Sequence, residues 1–302
     1  MITIDPPSTL PIPAARLHKL ATRCAFAVLA AAAAFTQTAL AQSPKWILTW
    51  SDEFNLPDGS APDPAKWSFD NSGDKANHEL ETYTGRSANV HEEHGRLIIT
   101  ARKEDTGRPD GSTRHYTSGR IFTKSLFAQR YGRFEASIRL PAAKGVWPAF
   151  WLLGDNIDTV GWPRCGEIDI VEDIGQPALG HSTLHGPGYS GAKGLSTPFT
   201  LPPGQRVDTA FHLYAVEWAP DDIKFLLDDH LVAERTPADL PAGSAWVYNH
   251  PFFIILNLAV GGDWPGNPDS TTIFPQQMLV DYVRVYRRTG PAVTALPSAL
   301  PQ

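Results

Sequence analysis

Three acids are spaced through one apolar run, Gly166-Glu167-Ile168-Asp169-Ile170-Val171-Glu172. In a regular strand alternate side chains share a face, so Glu167 and Asp169 point together and Glu172, five positions after Glu167, points away. A β-bulge, one extra residue set opposite its neighbour, returns Glu172 to the face of the other two. The glutamates are then about 13 Å apart along the backbone at roughly 3.3 Å per residue, and inward-leaning side chains close the carboxyl gap to roughly 5–7 Å. Carboxyls about 5–5.5 Å apart can cleave a glycosidic bond with retention, one attacking the sugar carbon while the other shuttles a proton. Crowding also forbids all three from ionising freely, so at least one must hold its proton towards neutral pH. The same pattern is compatible with a solvated acidic edge strand or with a carboxylate cluster around a hard cation.

Such a strand needs neighbours to hold it. Strand-like runs recur at Arg96–Ala101, Arg133–Leu140, Phe211–Trp218, Ile223–Leu227, Phe252–Val260 and Met278–Tyr286, with turn residues between them. Leu227-Asp228-Asp229-His230-Leu231 reads as a hairpin turn joining two of them. No amphipathic helical pattern lasts beyond two turns, and 27 Pro and 24 Gly suit many short elements. The expectation is an all-β antiparallel sandwich or barrel, not alternating βαβ units. With 302 residues, 42% hydrophobic and 19% charged, the chain can bury one sizeable core, which excludes a disordered acidic protein. A formal net charge of −6 argues against a nucleic-acid binder.

The ends read differently from the middle. Arg16, His18, Lys19 and Arg23 precede an apolar stretch from Cys24 to Phe35, and Thr38-Ala39-Leu40-Ala41 closes it with an A-x-A pattern. That is the layout of a secretory signal peptide over residues 1–41, cleaved after Ala41, and the stretch is too short to span a bilayer. The mature protein is expected to be secreted, extracellular or periplasmic, with one domain over residues 42–288 and a disordered tail over 289–302. Cleavage removes Cys24 and leaves Cys165 alone, so no internal disulfide forms. The apolar flank of Cys165 favours a small buried side chain over a reactive thiol.

The acidic strand, Glu167-Ile-Asp169-Ile-Val-Glu172, resembles the signature of glycoside hydrolase family 16, in its laminarinase-like branch with the extra residue before the second Glu. Lichenases of the same family lack that insertion. The resemblance runs from about Trp50 to Tyr286. It takes in Trp50-Ser-Asp-Glu-Phe54, Tyr116-Thr-Ser-Gly-Arg-Ile121, Trp147-Pro-Ala-Phe-Trp-Leu-Leu-Gly154 and Thr183-Leu-His-Gly-Pro-Gly-Tyr-Ser190. It continues through Asn257-Leu-Ala-Val-Gly-Gly-Asp-Trp264 and closes with Met278-Leu-Val-Asp-Tyr-Val-Arg-Val-Tyr286. It implies a β-jelly-roll sandwich of the concanavalin A-like kind, with the acidic strand in a concave cleft that acts on β-linked polysaccharides. By resemblance Glu167 is the nucleophile, Glu172 the general acid/base and Asp169 the residue that tunes them. Trp147, Trp151 and Trp264 would line the cleft, where indole can cover the C–H face of a sugar. Asn89, Arg120 and His185 match polar subsite positions. Glu53, Gly95 and Asp281 match a structural calcium site away from the cleft; catalysis itself needs no cofactor.

Other signals carry less. His91-Glu92-Glu93-His94 lacks the H-E-x-x-H spacing of a zinc helix and reads as a solvated turn. Gly180-His181-Ser182-Thr183-Leu184 lacks the closing Gly of a nucleophile elbow. Trp46, Trp67, Trp218 and Trp246 read as core. The leading expectation is a monomeric, secreted, retaining endo-β-1,3-glucanase. The alternatives are a mixed-linkage glucanase or another hydrolase of the family; retention of all three acids disfavours a non-catalytic β-glucan-binding protein.

Overall fold

The computed structural model describes residues 45–71, 76–107 and 111–289. The leader expected over residues 1–41 lies outside the described residues, as does the tail from residue 290 onward. Thr289 closes the last strand opposite Lys45, so the fold extends one residue past the expected boundary at 288.

In chain order the strands are β1 (Lys45–Asp52), β2 (Ser68–Phe69), β3 (Glu81–Tyr83), β4 (Val90–Glu92), β5 (Leu97–Gly107) and β6 (Thr113–Ser118). Next come β7 (Arg120–Phe122), β8 (Gly132–Arg139), β9 (Val146–Gly154), β10 (Glu167–Glu172), β11 (Leu179–His185) and β12 (Thr197–Thr200). The last five are β13 (His212–Ala219), β14 (Asp222–Leu227), β15 (His230–Arg235), β16 (Phe252–Val260) and β17 (Gln276–Thr289). One sheet runs β15-β14-β13-β8-β17-β5-β6-β3, with β1 also on β17 and β4 on β5. The other runs β12-β11-β10-β9-β16-β7-β2. Among the described residues the one α-helical stretch, α1 (Ile157–Val160), is a single turn.

Local chemistry explains the elements. Every residue of β16 is buried, as a continuous apolar run should be when neighbours flank it on both sides. β14 alternates buried and half-buried positions, the mark of a strand with one face on the core. Its hairpin to β15 turns through Asp228 and Asp229 at φ of 49° and 63°, a left-handed pair that a short polar side chain tolerates. The Asp228 carboxylate accepts the Leu213 amide at 2.8 Å and stands 2.9 Å from His212 Nδ1, tying the turn to β13.

The core lies between the sheets. Leu97, Phe134, Ile138 and Val283 of one sheet join Phe150, Leu152, Ile254 and Leu256 of the other in one buried cluster. Trp218 bridges the layers edge-on to Phe252 at 5.1 Å and donates its indole N–H to the Tyr248 carbonyl. Truncating such a residue typically costs about 3–5 kcal/mol. Trp67 is core as well, and Trp246, half-buried, packs against the core edge-on to Tyr248; Trp46 is half-buried outside that cluster, which corrects the expectation for it. Cys165 is fully buried and its thiol is pushed up to about 11 by burial, so the packing role holds. The His91–His94 segment is only partly a solvated turn. Glu92 is fully buried in β4 and accepts the Leu56 amide at 2.8 Å.

Candidate active site

The acidic strand β10 is central in its sheet, between β9 and β11. Asp169 pairs with Trp151 of β9, but the next pair is Val171 with Phe150. Towards β11, Asp169 pairs with Thr183 and Glu172 with His181. Three steps on β10 therefore match two on each neighbour. This is the bulge that the spacing of the acids requires. Its cause is apolar: Ile168, Ile170 and Val171 all enter the core, so two consecutive side chains point inward and Glu172 returns to the open face.

Strand β9 supplies the wall by plain alternation. Trp147, Ala149, Trp151 and Leu153 line the groove, while Phe150 and Leu152 enter the core. The groove has two lobes, of about 360 and 730 Å³, and both reach Glu167 and Glu172. The smaller lobe adds Arg120, Asn77, Glu79 and Asn257; the larger adds His181, His185, Trp264 and the Gly191–Gly194 turn. Gly194 is needed there, because a Cβ would lie 2.4 Å from His185 Cε1.

Each glutamate has its own indole donor. Trp147 Nε1 donates to Glu172 Oε1 at 2.9 Å and Trp162 Nε1 to Glu167 Oε2 at 2.7 Å. His185 Nε2 stands 3.2 Å from Asp169 Oδ2. Glu172 is 8% and Asp169 2% exposed, while Glu167 is only half-buried. Burial, followed by the charges of Asp169 and Glu167, holds the Glu172 carboxyl well above the usual carboxylate range. Burial also lifts Asp169 to about 7, against its hydrogen bond with Glu167. Glu167 is pushed up to about 8 by burial and then by the Asp169 charge, with His185 and Trp162 acting downward. Of the two glutamates, Glu167 keeps an edge open to solvent and a donor aimed at it, so its rise is the more moderated by water. Of the two, Glu172 holds its proton the more firmly and Glu167 ionises the more readily, the ordering that an acid and a nucleophile side by side require.

The remaining expected residues fall into two groups. Arg120 lines the smaller lobe with its guanidinium 5.0 Å from the Trp151 ring and 3.7 Å from Asp70. Trp264 is exposed at the rim, edge-on to Trp147 at 5.7 Å. Asn89 does not reach the groove, contrary to expectation. It is fully buried, donates to the Thr100 carbonyl and Thr117 Oγ1, and accepts from Thr84 and Arg86, so its polar capacity is spent on bracing β4 against β5 and β6. Strand register does bring Glu53, Gly95 and Asp281 to one corner, through the pairs Asp52–Val283 and Val280–Leu97. There the Glu53 carboxylate is held by Arg284 in a two-pronged pair at 2.9 and 2.8 Å, which removes it as a cation ligand. The donors left at that corner are the Asp281 carboxylate, 3.7 Å from Arg96, and main-chain oxygens.

Sequence reasoning missed Trp162, Asn257, Glu79 and Tyr83. Trp151 Nε1 donates to Asn257 Oδ1 at 2.7 Å, Asn257 Nδ2 donates to the Tyr83 hydroxyl at 3.2 Å, and Tyr83 donates to Glu79 Oε2 at 3.3 Å. This relay fixes the tilt of the Trp151 indole. One signal was available: Asn257 is the single polar residue in the buried run of β16, and a buried amide there needs partners. Trp162 lies only five positions before Glu167, and Tyr83 meets Asn257 across 174, but neither pairing follows from a strand or helix period.

The architecture and the acids together define a glycoside hydrolase sandwich. The chain matches Glycosyl hydrolases family 16 over residues 77–284 and belongs to that family. It is 39% identical to a beta-glucanase of Rhodothermus marinus over 91% of this chain and 98% of that protein. Among solved structures, the endo-beta-1,3-glucanase of Pyrococcus furiosus superposes with a TM-score of 0.78 at 45% identity, covering 83% of this chain and 97% of that one. The laminarinase catalytic domain of Thermotoga maritima gives 0.77 at 43% identity, covering 82% and 100%. The fold is accordingly the jelly roll, in the laminarinase-like branch of the family.

Proposed function

We propose that the protein is a retaining endo-β-1,3-glucanase that hydrolyses internal bonds of β-1,3-glucans by double displacement. The observation that carries the mechanism is the bulge in β10, which sets Glu167, Asp169 and Glu172 on one face of an open groove, with an indole donor on each glutamate. Glu172 protonates the glycosidic oxygen as the bond breaks. Glu167 attacks the anomeric carbon from the opposite face and forms a glycosyl-enzyme. Glu172, now a carboxylate, takes a proton from water that releases the sugar with net retention. Asp169, in contact with both Glu167 and His185, exchanges hydrogen-bonding roles as charge moves onto and off Glu167. Trp147 and Trp151 offer flat apolar faces to glucosyl rings in one lobe, and Trp264 with His181 does so in the other. The two lobes meet at the acids, so glucosyl rings can be held on either side of the bond that is cut.

Product profiles over time on laminarin, lichenan, agarose and carboxymethylcellulose test this reading. A ladder of oligosaccharides from laminarin supports it, and activity on agarose alone overturns it. The reading includes export with cleavage after Ala41 and action as a monomer, which N-terminal sequencing of secreted protein and size-exclusion chromatography check. It also retains a structural cation at the Asp281 corner, held by that carboxylate and the main-chain oxygens of Glu53 and Gly95, all hard donors. A ligand of the native state raises the melting temperature. Chelation should therefore lower it while hydrolysis at 25 °C persists; an unchanged melt with no metal by elemental analysis removes the ion.

A further inference from the structure

The nucleophile, its neighbouring carboxylate and an imidazole form a donor set of their own. One carboxylate oxygen each from Glu167 and Asp169 and a ring nitrogen of His185 lie within 4.8 Å of one another. His185 Nε2 and Asp169 Oδ2 are 3.2 Å apart. Zinc bonds of about 2.0–2.1 Å at tetrahedral angles separate ligand atoms by about 3.3 Å, so that pair already has the spacing of two ligands on one ion. The Glu167 carboxylate, on a half-buried side chain, has to move inward by up to about 1.5 Å, from within 4.8 Å to about 3.3 Å, to complete the set.

A second observation points the same way. Asp169 is 98% buried by its 2% exposure, yet its Oδ2 finds no aligned hydrogen-bond donor despite the nearby imidazole. A buried carboxylate oxygen without a donor is costly. A cation between it and the imidazole would satisfy both at once. We propose that Glu167, Asp169 and His185 form an inhibitory site for a borderline divalent transition metal, with Zn²⁺ the type case, whose fourth position opens on the groove. One nitrogen and two oxygens suit Zn²⁺, Co²⁺ or Cu²⁺, while Mg²⁺ and Ca²⁺ prefer all-oxygen sets. The ion takes the Glu167 lone pair that would attack the anomeric carbon, so it competes directly with the glucosyl ring. His185 Nδ1 has no partner to orient it, and a ligating imidazole without one typically binds 10–100-fold more weakly. The site is therefore a reversible inhibitory one, not a structural one.

Binding here is independent of which polysaccharide is cut; only the inhibition rests on the proposed activity. Calorimetry of ZnCl₂ into the full protein reads the site, and initial rates on laminarin read the function. The expected result is one Zn²⁺ per chain, weakened at least tenfold in both His185→Asn and Glu167→Gln, with each variant's folding checked by its melting curve. Inhibition should be competitive with laminarin, reversed by chelator, and absent with MgCl₂ at the same concentration. His94→Asn, which removes an exposed surface imidazole, should leave the affinity unchanged. Equal Zn²⁺ affinity in His185→Asn, or equal inhibition by Mg²⁺, would overturn the proposal. If laminarin proves not to be a substrate, the calorimetric result still stands or fails alone.

Discussion

Glu167 and Glu172 are chemically the same residue placed in unlike surroundings, and stereochemistry separates their roles better than rate does. Glu167→Ala should lose turnover by several orders of magnitude, because no glycosyl-enzyme can form. With an activated aryl β-glucoside and azide it should give the α-glycosyl azide, the anion entering through the space left by the carboxylate. Glu172→Ala keeps the nucleophile, so the same reagents should give the β-glycosyl azide. NMR of fresh product decides, and exchanged anomers would exchange the roles. Trp162 supplies a second test. Its indole N–H favours the ionised form of Glu167, so Trp162→Phe should raise that carboxyl's pKa. Glu167 must be ionised to attack, so the acid limb of the kcat/KM profile should move to higher pH. With Trp162 half-exposed, a charge-assisted bond should account for about half a unit to one unit. An unmoved limb would reduce Trp162 to a sugar platform.

Strand β10 shows how an element can solve a spacing problem that residue types pose. The extra residue between Asp169 and Glu172 would turn Glu172 into the core unless Ile170 and Val171 both faced inward, as they do. Deleting Ile170 leaves the order Glu-Ile-Asp-Val-Glu, in which strict alternation puts all three acids on the open face with no bulge. That variant should fold and keep measurable hydrolysis on laminarin. Inserting Ala after Val171 forces a choice: with the bulge kept Glu172 turns inward, and with strict alternation Val171 leaves the core for the open face, so either way activity and melting temperature should fall. If the deletion is as damaging as the insertion, the bulge does more than restore the face. The bulge is legible in the residue order itself, because a period of two makes a five-residue separation visibly wrong. The Asn89 expectation failed for the complementary reason. A polar residue in a matching motif position looks the same whether it faces sugar or braces three strands, and only Thr84, Arg86, Thr100 and Thr117 reveal which.

Charge accumulated over the fold sets a stability dome. Glu167 and Asp169 are lifted to about 8 and 7 and Asp173 to about 7, chiefly by burial, and Glu81 and Glu172 are also held well up. Groups raised in the native state support it fully below their unfolded values near 4, and that support is lost as pH rises towards 7–8. Glu53, Glu104 and Asp208 are held low by their hydrogen bonds, chiefly from Arg284, Thr117 and Arg206; they add stability above pH 4 that is lost as pH falls. The melting temperature should therefore peak between about pH 4 and 6. Glu172→Gln, which cannot ionise, should melt about 2–4 °C above the parent at pH 8, the equivalent of about 1 kcal/mol in a chain of this size, with a smaller difference at pH 5. Equal shifts at both pH values would show that burial of the charge is not the cause.

The family resemblance implies the aromatic wall on β9; from the residues alone one could read the all-β class, the acidic strand with its bulge and the hairpin at Asp228. All are local: alternation, turn chemistry and the apolar face of a strand act between residues a few positions apart. Tertiary structure decided the Trp162–Glu167 donor, the relay from Trp151 through Asn257 and Tyr83 to Glu79, and the Arg284 side chain that occupies Glu53. Those contacts join segments as far apart as 231 positions. Apart from the Trp162–Glu167 bond, which spans five positions through a turn, their formation depends on strand order and register, which no local period encodes.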